Sequence, residues 1–572
     1  MPAVHADKLE MQHRLFAELS RMFGVEVPLY DKSLLVNRVC NEAICALLGQ
    51  HWRGFAITAE QLEKTSGERH GAIRIGRPDE YRWIGRFFAQ FAMEPHAFYD
   101  MTNVGAKSQP IIATAFRSRL NPEHRVFTSL LMTDYFDAET RERIEALLAG
   151  RQVFSQEAKR LIEKGERDGG LSWEDANALI GEATGRIFKW TGRARDHAFY
   201  QELGKAGFKI AADIACFESH HLNHLTPNTL WMDVYTSAMK FCLGELGEAG
   251  FRQHATLALE HFVAQCDRDY LRLHFKHLTA AQLAALEHAT LADGAVAASV
   301  DALTKRLKQD DLNLSRHKHS GFKDSTEGPA ADTPVLLRQD SYKALTEPVQ
   351  FTNPDGAVVN TTHTARFGEI EQRFYATTPQ GRELYDRCLA AADAAKEKHP
   401  GLAKKDFAAY ERLASEAFAP FPKTLIELVE QGLVFARFRA TEKGCTAAKS
   451  GQLRAWQERW ASLSLATPVA ARDSGDHLGA ARETEMLVAL AREGYVAIEG
   501  LRYEDFLPIS AAGIFASNLQ QYGTQSTAHA KPTYTQAQLE EVLGRKIIDP
   551  NETYAALEAE SRAATLRDLG LE

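Results

Sequence analysis

The chain has 572 residues, 45% of them hydrophobic and 25% charged, and carries a formal net charge of −9. That length exceeds what one hydrophobic core usually takes, so one large elaborated domain or two to three smaller ones are expected. Acids and bases are intermixed with no basic stripe, which argues against nucleic acid as a partner, and no apolar run is long enough to span a bilayer.

The predicted elements begin with residues 8–23, where Leu9, Leu15, Phe16, Leu19, Met22 and Phe23 recur mostly three or four apart and form a helical stripe. Asp7, Glu10 and Glu18 within or beside it argue against a transit peptide. Residues 33–49 and 78–93 also read as helices. Short β-type runs are expected at 71–75, 110–117, 124–132, 208–217, 334–338, 363–375 and 494–503. Residues 136–205 form a helical block, and residues 234–310 hold further long helices rich in Ala and Leu. The stretch from Arg316 to Pro329 has loop composition. Residues 380–431 and 535–570 are again helical.

This order suggests a first part at 1–233, a helical insertion at 234–330 closed by a mobile linker, and a second part at 331–572. The seven cysteines, Cys40, Cys45, Cys216, Cys242, Cys266, Cys388 and Cys445, are odd in number and include no CxxC. They fit reduced thiols, and a cytoplasmic enzyme is the expectation.

Three stretches carry candidate chemistry. In Arg69-His-Gly-Ala-Ile-Arg-Ile-Gly, an extended chain puts His70 and Arg74 on one face, a metal-binding imidazole beside a carboxylate-binding guanidinium. In Glu218-Ser-His-His-Leu-Asn-His-Leu-Thr-Pro, three histidines, His220, His221 and His224, follow the expected strand at 208–217. Helical spacing of His220 and His224 would suit a zinc hydrolase, but no Glu follows His220 and Pro227 interrupts a helix. Turn-capping histidines are the plainer alternative. In Thr364-Ala-Arg-Phe-Gly-Glu-Ile-Glu-Gln-Arg, alternation puts Phe367, Glu369, Glu371 and Arg373 on one face. A carboxylate there must be paired or bound to metal.

Two imidazoles and a carboxylate make the facial set of non-heme Fe(II) oxygenases, although spacing alone does not separate iron from zinc. The chain has no GxGxxG opening a helix, no GxxxxGK[ST], no GxSxG and no HExxH, so dinucleotide, P-loop and α/β-hydrolase chemistry lose support.

The sequence also resembles the 2-oxoadipate dioxygenase/decarboxylase family, or 2-hydroxyglutarate synthases. The stretches that carry the resemblance are Arg69-His-Gly-Ala-Ile-Arg-Ile-Gly, Phe127-Thr-Ser-Leu-Leu, Asn223-His-Leu-Thr-Pro, Leu336-Leu-Arg-Gln and Ser341-Tyr-Lys-Ala-Leu. His363-Thr-Ala-Arg-Phe-Gly-Glu-Ile-Glu-Gln-Arg, Ala440-Thr-Glu-Lys-Gly and Tyr503-Glu-Asp-Phe-Leu-Pro-Ile-Ser-Ala-Ala-Gly-Ile-Phe complete it.

The resemblance implies an α+β fold, a vicinal-oxygen-chelate-like curved sheet around a metal and decorated with helices. It implies Fe(II) held by His70, His224 and Glu369, with Glu371 outside the metal shell. It implies that Arg74 grips a substrate carboxylate and that Ser510 and Ile509 touch substrate. The implied partners are a 2-oxo acid and O2, with 2-oxoadipate converted to 2-hydroxyglutarate and CO2. Departures from the pattern are Asn228 after Pro227, Phe374 where a small residue is usual, and Ile509 where Val is expected. A related oxygenase acting on another 2-oxo acid, and a zinc hydrolase built on His220 and His224, are the alternatives.

Overall fold

The computed structural model describes residues 5–67, 69–103, 108–119, 122–465, 477–507 and 532–571. Its first helix, α1 (Lys8–Glu26), begins where the Asp7 carboxylate accepts from the amides of Leu9 and Glu10, satisfying donors that a helix start otherwise leaves open. Of the expected stripe, Leu15, Phe16, Leu19, Met22 and Phe23 are buried, joined by Met11, while Leu9 is only half-buried. Pro28 opens α2 (Pro28–His51), and Pro78 opens α3 (Pro78–Ala89), each at a position that needs no amide donor. Asp137, Ser155 and Ser172 cap three successive helices and divide the 136–205 block.

The central sheet has five strands: β1 (Arg69–Ile75), β2 (Glu94–Asp100), β3 (Ile111–Arg117), β4 (His124–Leu131) and β5 (His224–Pro227). Their spatial order is β2-β3-β4-β1-β5. The β1–β4 pair is parallel and the others antiparallel. Strands β1, β3 and β4 are buried along their whole length, so both sheet faces are covered.

A second antiparallel pair joins β6 (Leu337–Tyr342) to β9 (Gly368–Arg373), with Glu369 opposite Ser341. Between them, β7 (Thr346–Thr352) and β8 (Val358–Thr364) make a hairpin. Its turn runs through Asn353-Pro-Asp-Gly, where Gly356 takes φ 82°. The amide of Thr229 donates to the carbonyl of Glu371 at 2.8 Å, and Asn228 bridges Glu371 in parallel sense, so β9 runs beside the end of β5. Strands β1, β5 and β9 therefore lie side by side. Helix α2 holds the chain beyond β5: Asn37 donates to the carbonyl of Asn228 (2.9 Å) and Asn41 accepts from the amide of Leu230 (3.0 Å).

The architecture is mixed α+β, with several sheets and many helices. Several expected elements differ. Residues 208–217, read as a strand, form α4 (Lys209–Cys216). Its residues Ile210 through Cys216, Asp213 included, are all buried, and a short segment buried on every side carries no period by which helix and strand can be told apart.

The run at 334–338 is displaced to β6, where buried charges hide the strand. Arg338 pairs with Asp233 at 2.9 Å, and Asp340 accepts from Thr236 and Thr326. Asp233 belongs to α5 (Met232–Cys242), so that helix is tied directly to β6. The run at 363–375 divides between β8 and β9. Residues 316–329, expected to be a mobile linker, run along β6 instead. The amides of Lys323 and Glu327 donate to the carbonyls of Ser341 and Gln339 at 3.0 and 2.8 Å.

Candidate metal centre

His70 on β1, His224 on β5 and Glu369 on β9 come together at the junction of the three strands. All three are buried, and one ligand atom of each lies within 4.8 Å of the other two. Oε2 of Glu369 is 3.1 Å from Nε2 of His70 and 3.3 Å from Nε2 of His224. Two donors at about 2.1 Å and a right angle from one ion stand about 3 Å apart, so this spacing suits a shared divalent metal. The imidazole planes are nearly perpendicular, 89°, with centroids 5.5 Å apart. Phe506 meets the edge of His70 at 5.0 Å, and Phe367 packs on His224 at 5.0 Å, which fixes both rings.

The electrostatics favour the ligand form at His224 and Glu369, and a proton at His70. Burial holds His224 down at about 4 despite Glu369, and the nearby charges of His70 and Arg74 add to that lowering. It is therefore a neutral donor at neutral pH. Burial would raise Glu369, but His224 and His70 outweigh it and keep the carboxyl below its ordinary range. Burial would also depress His70, yet Glu371 and Glu369 reverse the sign and raise it.

Glu371 stands on the far side of that ring, its Oε2 2.8 Å from Nδ1 of His70. This is the placement by which a carboxylate fixes the tautomer of a metal-bound histidine. Its other oxygen meets Arg373 Nε at 2.9 Å and Arg125 Nη1 at 3.3 Å, and Arg125 continues to Glu504. Thr226, two residues past His224, donates its hydroxyl to Oε2 of Glu369 at 3.0 Å. Alternation along β5 marks Thr226 as sharing the face of His224, a signal the sequence reading leaves unused. Arg125 and Glu504 had no such signal, since their partners lie hundreds of residues away.

The other expected site residues fall as follows. Arg74, further along β1, donates Nη1 to Asp213 on α4 at 2.6 Å. Ser510 and Ile509 lie outside the described residues. His220 and His224 do not share a helix face, because residues 220–223 are irregular and β5 begins at His224. His220 turns instead to Glu80 at 3.0 Å, and His221 faces Asp213 at 3.5 Å. The zinc-hydrolase arrangement at His220 and His224 is thereby lost.

Residues 15–242 and 251–518 match the family model of the 2-oxoadipate dioxygenase/decarboxylases. The chain is 33% identical to the 2-oxoadipate dioxygenase/decarboxylase of Pseudomonas putida, covering 100% of this chain and 99% of that one. It is 28% identical to the enzyme of the same name from Escherichia coli, over 97% of each chain. The crystal structure of the Pseudomonas putida hydroxyglutarate synthase in complex with 2-oxoadipate superposes with a TM-score of 0.63, at 30% identity and 99% coverage of both chains. This chain belongs to the 2-oxoadipate dioxygenase/decarboxylase family.

Proposed function

We propose that this protein is a cytoplasmic, Fe(II)-dependent dioxygenase that converts 2-oxoadipate and O2 into 2-hydroxyglutarate and CO2. The observation that carries the reading is the buried convergence of His70, His224 and Glu369 in a chain of this family. The stoichiometry closes: a six-carbon 2-oxo diacid loses one carbon as CO2, and both atoms of dioxygen end in the products. Bound by two imidazoles and a carboxylate, Fe(II) would supply open positions for a chelating 2-oxo acid and for dioxygen, and would relay to O2 the electrons that the substrate gives up in losing CO2 and gaining a hydroxyl.

The chain's own part is to bind, orient and exclude water. Glu371 holds His70 with Nε2 toward the centre, and Thr226 steers the Glu369 carboxylate. Phe506 and Phe367 wall the site with apolar surface, which strengthens the charge interactions inside it. Arg74, on the same strand as His70, pairs with a substrate carboxylate, most simply the one remote from the 2-oxo group. Ser510 and Ile509 are assigned to substrate contact on the sequence resemblance alone. We also read the sheets flanking the centre as a vicinal-oxygen-chelate arrangement, supported by the three ligands rising from neighbouring strands. The cytoplasmic assignment rests on seven free cysteines, six of them buried, and among the described residues no helix is long and apolar enough to cross a membrane.

The test is aerobic incubation of the Fe(II)-loaded protein with a panel of 2-oxo acids, following O2 uptake and CO2 release. 2-Oxoadipate should be the preferred substrate, and turnover should cease without oxygen. His70→Ala, His224→Ala and Glu369→Ala should each lower turnover by at least about 1000-fold and abolish stoichiometric metal binding. Activity that persists under anaerobic conditions, or in any of these variants, would refute the assignment.

A further inference from the structure

Among the described residues a second set of metal-ligating side chains meets outside the centre described above. It consists of His13, Glu123 and His124, one ligand atom of each lying within 4.8 Å of the other two. His13 is on α1, three residues before Phe16, and so shares a helix face with it. His124 opens β4, and Glu123 precedes it, its carbonyl accepting from the amide of Arg69 at 3.2 Å. Phe16 stacks on the imidazole of His124 at 4.4 Å and 28°, which holds that ring against α1.

The two sets lie on opposite faces of the central sheet. Arg125 pairs in register with His70 and reaches Glu371 behind that ring, so its side chain is on the side of the first centre. His124, one residue earlier on the same strand, points to the other face, where α1 covers it. The chemistry assigned to His70, His224 and Glu369 makes no use of this group.

Its geometry suits one ion. Two imidazoles bound to a tetrahedral ion at about 2.1 Å put their ring centres about 5 Å apart. Those of His13 and His124 are 5.1 Å apart, with planes at 82°. Two donors on such an ion stand about 3.4 Å apart, and Nδ1 of His13 is 3.8 Å from Oε2 of Glu123. Small rotations close the difference, because the His13 and Glu123 side chains are 45% and 26% exposed and only His124 is buried. The open side also gives the ion a path in and leaves room for water as a fourth ligand.

Two nitrogens and one carboxylate oxygen disfavour Mg2+ and Ca2+, which take oxygen, and in the order of divalent affinities zinc binds such donors more tightly than ferrous iron. We infer that His13, Glu123 and His124 form a second divalent-metal site, selective for zinc over ferrous iron, and that the ion clamps α1 to β4. The unfolded chain holds these ligands far apart, so the ion binds the folded state and stabilises it.

The test uses the full-length protein, stripped of metal with a chelator and titrated with ZnCl2 by calorimetry. Wild type should take up two equivalents, since zinc also fits the first centre. His70→Ala should keep one, and that equivalent should raise its melting temperature. His13→Ala alters an exposed side chain; it should lose one equivalent alone and both when combined with His70→Ala. Glu123→Gln should weaken the site at least about tenfold. His399→Ala, at an exposed histidine elsewhere, should leave uptake unchanged. Titrated with Fe(II) under argon, wild type should bind one equivalent and His70→Ala none.

The inference is overturned if His70→Ala binds no zinc, or if adding His13→Ala to it leaves the zinc affinity and the melting shift as they were. A loss of uptake in His399→Ala as large as in His13→Ala marks scattered surface binding and overturns it too, and two ferrous equivalents in wild type overturn the selectivity. If wild type and His70→Ala each bind a single zinc that His13→Ala abolishes, the first centre is refuted and this site stands.

Discussion

At Glu371 one carboxylate faces an imidazole and two guanidiniums, all buried. The neighbouring charges, Arg373 first and then His70 and Arg125, hold it well below the usual carboxylate range although burial opposes them, so it is ionised at neutral pH. Glu371→Gln keeps the shape and removes the charge. Its expected effects are a metal affinity lower by about 10- to 100-fold and a stability loss of about 3 kcal/mol from two buried arginines left facing a neutral amide. Equilibrium dialysis against Fe(II) or Co(II), beside a denaturant titration, measures the two separately. Glu369→Gln should reverse the emphasis, with metal binding lost and stability less affected, because the Glu369 partners are two imidazoles and a hydroxyl and no guanidinium.

Among the elements, β9 leaves room at Gly368 for the ring of its cross-strand neighbour Tyr342 on β6. A Cβ on Gly368 would collide with the edge and hydroxyl of that ring, which is itself buried. Gly368→Ala should push β9 outward beside Glu369, the proposed metal ligand, at a cost of about 1 to 3 kcal/mol. A lower melting temperature together with weaker metal binding is the expected pair of results. A fall in stability with metal affinity intact would show that the strand shifts without moving Glu369.

The same elements show what can be read in advance. Strands β1, β3 and β4 and helices α1 to α3 were legible because their apolar spacing or flanking prolines state the period. The faces of β9 were legible too, since alternation alone groups Glu369, Glu371 and Arg373. Helix α4 was not, for its apolar residues fall on every side around the one acid, Asp213, and β6 was not, because Arg338 and Asp340 read as surface until their partners on α5 and beyond are known. The hairpin turn at Asn353–Gly356 carried a clear signal, yet β7 and most of β8 on either side of it were not expected as strands. Asp213 could not be identified as an arginine's partner, because its place depends on α4 being a helix.

For the molecule as a whole, acid stability rests in part on a tie between α3 and the segments at 151 and 220. Glu80 on α3 pairs with Arg151 at 2.6 Å and with His220 at 3.0 Å. Burial would raise the Glu80 carboxyl, but His220 and Arg151 overcome it and hold the carboxyl at about 2, against an ordinary value of 4.5. A carboxyl depressed in the folded state stabilises above its unfolded value, and that contribution is lost as pH falls from about 4.5 toward about 2. The size is about 3 kcal/mol. Glu80→Gln should be less stable at neutral pH and should lose less further stability across this window. Melting temperatures taken from pH 5 to pH 2 decide it; parallel curves for the two proteins would contradict the assignment.

His70 and Glu369 stand 299 residues apart in the chain. A ribosome must therefore release nearly two thirds of the polypeptide before all three donors exist together. Nascent fragments that end before Glu369 hold at most two of them, too few to retain an ion by this set. Any metal that the three side chains hold is thus taken up only after most of the chain is made, and a retained ion becomes a signature of strands that have already met.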